Sequence, residues 1–457
     1  MPLPVAPLFC VLPPESQRVL DRYDQIIQSV LRLSLRQRAA LPLDVRSLSH
    51  RLTDERSARR ASYLNEPAAA AAYVSYFHWW NLVRLSRLFA GLPSGAFALP
   101  AGGVCVDLGS GPLTVPQALW LARPELRRTP LTWYCVDRSR SIMALGESLY
   151  LALAARTAAE SGGVPWRVVR VHGEAGIPLR DKAQLVASAN ALNETTQRAD
   201  SPPRETAARC ADTLLGYAEK GAALLLAEPG IPPSARFLSL LRGELLARKC
   251  GIGSPCPQIG ECPMNGRRGK KWCHFAFGTG AAPKELANMS ASAGLPKARA
   301  SLSFLLAYIG REGESASGVR VVSDPIRLPG NRTGFYACSR LGLTLLEARN
   351  PAPLIPSGSL IRLALPEQAA RRDRKTGAAI INIDANDDRG RETAPPPYRD
   401  SPAPQRSVLP LGANTGPHKH RARTDLRNPR PAERRSKPAA AQGKRAHATE
   451  TQKRRQR

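Results

Sequence analysis

Two groups of residues in this chain have the types and spacing to do chemistry. The first is the run V-D-L-G-S-G-P-L-T, Val106 to Thr114. An apolar stretch delivers Asp107, and Gly109 and Gly111 then let the backbone turn sharply and approach a ligand closely. Further acids stand where later apolar stretches end: Asp137 after L-T-W-Y-C-V, Glu174 beyond W-R-V-V-R-V-H-G, and Asn193-Glu194 beyond Q-L-V-A-S-A-N. An acid in the place of Asp137 can accept hydrogen bonds from both hydroxyls of a ribose. Leu113 occupies the third small position of a dinucleotide fingerprint, which argues against a dinucleotide. The plainer alternative makes the glycines a tight strand-to-helix turn and the acids helix caps. Their occurrence in order, each at the end of a strand, favours a cofactor crevice.

The second group is K-C-G-I-G-S-P-C-P-Q-I-G-E-C-P-M-N-G-R-R-G-K-K-W-C-H-F, with Cys250, Cys256, Cys262 and Cys273. Glycine and proline between the thiols exclude a regular helix, so the segment is a loop that wraps something. Arg267, Arg268, Lys270 and Lys271 would favour the thiolate that metals require. Zinc sites usually bring closely spaced cysteine pairs. None is present, and wide spacing with Cys-Pro steps suits an iron–sulfur cluster better, with zinc or free thiols as alternatives. The C-x3-C-x2-C arrangement of radical chemistry is absent. Cys10, Cys105, Cys135 and Cys210 lie on apolar elements or a helix and read as packing residues. Trp272, His274 and Phe275 could stack on a base or cover the cluster.

The elements that must position these residues follow from periodicity. Val19, Leu20, Tyr23, Ile26, Ile27, Val30 and Leu31 form one helical stripe, and a second long helix should begin near Pro67, so residues 1–95 are expected to be a helical region. From Val104 short apolar strands alternate with helices near 114–123, 139–160, 204–220 and 233–248, the pattern of a parallel sheet covered on both faces. The stretches 301–309, 319–323 and 334–346 should close that sheet, giving a domain over 100–348 with the cysteine-rich insert at 250–275. Beyond residue 366 the chain is basic, proline-rich and poor in aromatics, the composition of a disordered tail over 366–457.

The chain of 457 residues carries a formal charge of +29, with Lys and Arg outnumbering Asp and Glu by 66 to 37. Such an excess favours a polyanionic partner. No apolar run approaches the ~20 residues of a membrane helix, the first residues make a poor signal peptide, and nine cysteines in a chain this long point to a reducing compartment.

Together, D-L-G-S-G-P-L-T, A-L-N-E, L-L-A-E-P-G-I-P and S-P-C-P-x4-C-P-M … W-C-H-F, preceded by Y-L-N-E-P-A-A-A-A-A-Y, occur in an order that resembles the methyltransferase-like assembly factors of the mitochondrial small ribosomal subunit and their bacterial relatives. The resemblance covers about residues 60–345. It implies an α/β chain with a class I S-adenosylmethionine methyltransferase-like Rossmann fold, an N-terminal helical region, the cysteine-rich insert and a disordered basic tail. It implies a cofactor site at Asp107, Gly109, Gly111, Asp137, Glu174 and Asn193, with S-adenosylmethionine as the cofactor. It implies a [4Fe–4S] cluster on Cys256, Cys262, Cys273 and Cys338, whereas local spacing alone would take Cys250 in place of Cys338. The implied partner is small-subunit rRNA or its assembly precursors, bound by a monomer away from membranes, in a bacterial cytoplasm or a mitochondrial matrix. No catalytic residue stands out. Two rivals remain open: an active methyltransferase on rRNA or ribosomal protein, and a zinc-bearing methyltransferase of a small molecule.

Overall fold

The computed structural model describes residues 4–53, 63–161, 163–192, 201–267, 271–313 and 317–384. All lie within one unit, residues 1–393. A short strand β1 (Val5–Ala6) precedes helices Pro14–Asp21, Tyr23–Leu31 and Leu35–Thr53. The long helix expected from Pro67 is present as Pro67–Ala72, a π-turn Tyr73–His78 and Trp79–Gly91, with the proline in the first turn, where its missing N–H costs nothing.

The alternating region supplies β2 (Gly103–Leu108), β3 (Leu131–Asp137), β4 (Arg167–His172), β5 (Ala183–Ala189), β6 (Ala218–Pro229), β7 (Cys250–Ser254), β8 (Phe275–Gly278) and β9 (Arg299–Ile309). They form one sheet in the order β4-β3-β2-β5-β6-β9-β7, with β8 also on β9. From β4 to β6 every pairing is parallel, and β9 runs antiparallel between β6 and β7. This order, with one reversed strand inserted next to the last, is that of the class I methyltransferase-like Rossmann fold.

Side chains alternate between the two faces of the sheet, as the pleat requires. Cys105, Trp133, Leu185, Leu225 and Phe304 turn to one face, under the N-terminal helices and helices Thr114–Ala122 and Arg140–Ser161. Val106, Val136, Val186, Leu224 and Leu305 turn to the other, under helices Pro203–Tyr217 and Pro232–Ala247. On the first face Trp120 is fully buried, donates its Nε1–H to Thr157 Oγ1 at 2.6 Å and meets Tyr150 and Trp166 edge-on.

Two expectations are corrected. Only β9 closes the sheet. The later strands β10 (Val319–Val321), β11 (Ile326–Leu328), β12 (Arg332–Ser339), β13 (Gly342–Arg349), β14 (Leu360–Ile361) and β15 (Ala379–Asn382) form a second sheet, ordered β1-β14-β10-β12-β13-β15, with β11 on β12. The segment 334–346, read as one strand, belongs to a hairpin that turns at Arg340-Leu341 ahead of Gly342, whose φ is +84°. Val319, Val321, Phe335, Ala337, Leu346 and Ala348 give this sheet its own apolar core. The second correction concerns the tail. β15 pairs parallel with β13, and Ile381 and Ile383 are buried, so ordered chain runs past residue 366 to 384. A run as short as A-I-I-N-I is invisible to a composition reading beside Arg371, Arg372, Arg374 and Lys375. Residues 385–457 lie outside the described residues.

A buried polar chain joins the N-terminal helices to the glycine turn. The Tyr23 hydroxyl donates to Gln117 Oε1 at 2.5 Å, and Gln117 Nε2 donates to the carbonyl of Pro112 at 2.7 Å. With its proton so used, Tyr23 accepts from His78 Nε2 at 2.9 Å, and His78 Nδ1 accepts from the Thr114 hydroxyl at 2.9 Å. Burial lowers the pKa of His78 from 6.5 to about 3, so the ring stays neutral.

Two predictions follow from this packing. Trp120→Ala should lower stability by about 3–5 kcal/mol, seen as a lower midpoint in urea. The unfolded chain takes up a proton at His78 below pH 6.5 and the folded chain does not, so this contribution is complete above pH 6.5 and is lost as pH falls toward 3. Wild type should therefore lose ~1.4 kcal/mol per pH unit in that window relative to His78→Gln, and a flat difference would refute the assignment.

Candidate functional site

The carboxyl ends of β2 to β6 lie on one edge of the sheet, and there the glycine turn sits. Gly109 and Gly111 have φ of +70° and +51°, and a Cβ on Gly109 would stand 2.3 Å from that of Ala191. Only glycine fits that approach. Leu113 also adopts a left-handed φ, +58°, with its side chain fully buried, so the position where a third small residue was missing is a strained core residue.

Asp137 holds the turn in place. Its Oδ2 accepts from Gly111 N–H at 2.9 Å and its Oδ1 from Ser139 N–H at 2.8 Å, while its backbone carbonyl accepts from Gly173 N–H at 3.0 Å. Each carboxylate oxygen retains a second lone pair for a ligand. Asp107 is 1% exposed, and neither of its carboxyl oxygens has a hydrogen-bond partner among the described residues. Burial, and then the charge of Asp137, push its pKa well above the usual carboxylate range. The Ser110 hydroxyl is also buried without a partner. These unmatched polar groups beside a tight glycine turn fit a polar cofactor.

Glu174 is exposed and ion-paired at 2.6 Å with Arg138, the residue after Asp137. Asn193 lies outside the described residues. Two residues that spacing did not single out do reach the crevice. Asn65 Oδ1 accepts from the hydroxyls of Ser139 and Ser141 at 2.7 and 2.9 Å, bringing the N-terminal region to the end of β3. Glu228, buried at the end of β6, accepts from Leu192 N–H at 2.9 Å and holds the loop after β5. Their signals were the N-E-P and A-E-P motifs, each an acid or amide before a proline.

The cysteine segment lies on the same edge. β7 and β8 pair with β9 one after the other, at residues 306–309 and 299–302, and the loop 255–274 leaves between them. It is held by the Ser303 hydroxyl, which donates to the Cys273 carbonyl at 2.7 Å. All nine cysteines are free thiols. Cys256, Cys262, Cys273 and Cys338 are close enough to act on one another. Burial raises the pKa of Cys273 well above its ordinary value, and the charges of Cys262, Cys256 and Cys338 raise it further. Cys338 is raised by burial and then by Cys256 and Cys262. As they stand, no group of three or more His, Cys, Asp or Glu among the described residues has the spacing to grip a metal ion.

Cys250 lies elsewhere. It opens β7 opposite Ile309 and packs with the core under helix Pro232–Ala247. Burial raises its thiol, and the charge of Arg248 opposes that rise. Among the described residues, two arginines that spacing did not single out act on the thiols. Lys271 lies over the Tyr336 ring at 3.4 Å, Arg268 and Lys270 are outside the described residues, and it is Arg242 and Arg320 whose charges reach the thiols. Trp272 stacks on His274 with ring centroids 4.9 Å apart and donates to the Gly230 carbonyl, whereas Phe275 is buried against Phe304 and is not open to a base.

Among solved structures the chain is similar to a methyltransferase from Pyrococcus furiosus, at 11% identity over 47% of this chain and 78% of that one, with a TM-score of 0.25. It is similar to precorrin-6y C5,15-methyltransferase from Geobacter metallireducens at 10% identity over 50% and 87% of the two chains, with a TM-score of 0.29. No curated protein matches it significantly. The family model described as mitochondrial small ribosomal subunit Rsm22 matches residues 100–333. That is just over half of the chain, from before the glycine turn, through Cys256, Cys262 and Cys273, to five residues short of Cys338. The chain belongs to the mitochondrial small ribosomal subunit Rsm22 family.

Proposed function

We propose that this protein is an assembly factor of the small ribosomal subunit that binds its rRNA through a basic surface and carries a [4Fe–4S] cluster on Cys256, Cys262, Cys273 and Cys338. The observation that carries the reading is the meeting of these four thiols, three from one loop and one from β12, in a chain of the Rsm22 family. The chemistry of the donors suits the group: four thiols without disulfides, with two guanidinium charges reaching them. A cluster would tie the loop 255–274 to the second sheet and stiffen the face beside Trp272 and His274. The formal charge of +29 suits phosphate contacts that do not read sequence. The protein acts as a monomer in the mitochondrial matrix or, in a bacterium, the cytoplasm. Among the described residues no helix is long and apolar enough to cross a membrane.

The unmatched Asp107 carboxyl and Ser110 hydroxyl support a second reading, an active S-adenosylmethionine-dependent methyltransferase acting on rRNA or ribosomal protein. Bound there, S-adenosylmethionine would supply an electrophilic methyl group. Asp137 would accept from its ribose hydroxyls while holding the glycine turn against its amino-acid half, and Glu174, once parted from Arg138, and Asn193 would face the adenine and the methyl acceptor.

Three outcomes test these readings. The protein should co-sediment with small-subunit precursors at low salt and be released as salt rises, and free sedimentation at low salt would overturn the assembly role. Protein purified without oxygen should contain iron and acid-labile sulfide, lost in Cys338→Ser and kept in Cys250→Ser. Zinc alone would instead support a zinc-bearing methyltransferase of a small molecule. Calorimetry with S-adenosylmethionine should give a binding signal weakened at least tenfold, about 1.4 kcal/mol, in Asp137→Ala, and silence in wild type would exclude the enzyme.

A further inference from the structure

Two buried arginines stand at the four thiols, and their hydrogen bonds go to uncharged groups. Arg242, on helix Pro232–Ala247, is 4% exposed. Its two terminal nitrogens donate to the carbonyls of Gly260 at 2.9 Å and Gln258 at 2.5 Å, within the loop between Cys256 and Cys262. Its Nε–H is buried with no oxygen or nitrogen acceptor, and its charge and hydrogen bonding act on Cys256. Arg320, on β10, is 6% exposed and lies directly across the antiparallel ladder from Cys338, so the two side chains rise from the same face of the second sheet. Its guanidinium donates to the carbonyls of Pro255 at 3.1 Å and Gly358 at 2.7 Å and to the Ser254 hydroxyl at 3.5 Å. The charged groups acting on it are Cys256, Cys273 and Cys338.

Removing a guanidinium from water without an opposite charge costs several kcal/mol, and carbonyl dipoles recover only part of that. Two such groups around one cluster of side chains are therefore a statement about the charge of that cluster. Neutral thiols do not answer them. Four thiolates around a [4Fe–4S] core with two positive charges leave two negative charges, and two guanidiniums balance these. The balance draws one cation from each side of the centre, Arg242 from the methyltransferase-like domain and Arg320 from the second sheet.

We infer that Arg242 and Arg320 are the counter-charges of a dianionic four-cysteinate cluster and, as positioning residues, raise its reduction potential. The inference rests on the cluster proposed above. Reduction by one electron takes the centre from two negative charges to three, and a nearby fixed cation favours the more negative state.

The test is a redox titration with dithionite, followed by electron paramagnetic resonance, on wild type and on Arg320→Gln, Arg320→Lys and Arg242→Gln, with iron and sulfide measured in each. Arg320→Gln should disfavour reduction at least tenfold, a shift of ~59 mV to more negative potential. Arg320→Lys should restore most of it, and Arg242→Gln should shift in the same direction, which serves if Arg320→Gln does not fold. Variants that keep iron and sulfide with an unshifted potential would overturn the inference and leave the cluster standing. Equal shifts in Arg320→Gln and Arg320→Lys would overturn it too, assigning the effect to hydrogen-bond geometry. Wild type without iron and sulfide, or with zinc, would overturn both.

Discussion

The placement of β9 between β6 and β7, running against both, is the constraint from which the rest of the site follows. Because β9 must enter the sheet at the carboxyl edge and run back, the chain has to leave β7 and return at that same edge. It does so by splitting the outer partner of β9 into β7 and β8, and the cysteine loop is the material between them. Its thiols therefore share an edge with the glycine turn, where open α/β sheets bind ligands. When β9 ends at Ile309 the chain moves on to the second sheet, whose face carrying Arg320 and Cys338 turns to that loop.

The two centres on this edge have opposite electrostatic characters. The crevice is lined by carboxyl groups, with the buried Asp107 near Asp137, and burial pushes the Asp107 pKa well above the usual carboxylate range. The thiol centre is cationic, with Arg242 and Arg320 fixed by neutral carbonyls. Buried charges of this kind are weak sources of stability, and removing either partner of such an arrangement is usually worse than never having it. The cores on the two faces of the sheet supply the stability that tolerates them, among them the Trp120–Tyr150–Trp166 group and the layer under helix Pro232–Ala247.

What could be read from the residues divides along physical lines. The parallel strands and their helices were legible because full burial on both faces writes continuous apolar runs, and Gly109 and Gly111 because their left-handed φ admits little else. The second sheet was not recognised as separate. Its strands β1, β10, β14 and β15 span two to four residues each, too few for a period, and its pairings join residues far apart in the chain. The same limit governed the cysteines. Spacing sees only neighbours and so preferred Cys250, whose alternation in β7 turns it into the core. Cys338, which lies beside Cys256 and Cys262, was singled out only through the family resemblance, since register across a ladder leaves no local trace. Asp137 was placed at the crevice by its strand end, but its grip on Gly111 and Ser139 was not foreseen. Asn65 was missed because nothing in the spacing links it to residues 139 and 141.

The pairing of Val5 with Ile361 orders events in time. A growing chain can complete the helices and much of the Rossmann sheet while synthesis continues, but β1 has no partner until β14 has left the ribosome. Sequence separations of this length close slowly and late. Cys338 belongs to that same late sheet. The thiols of the loop are thus made first, and Cys338 comes to lie beside Cys256 and Cys262 only once the strands of that sheet have paired.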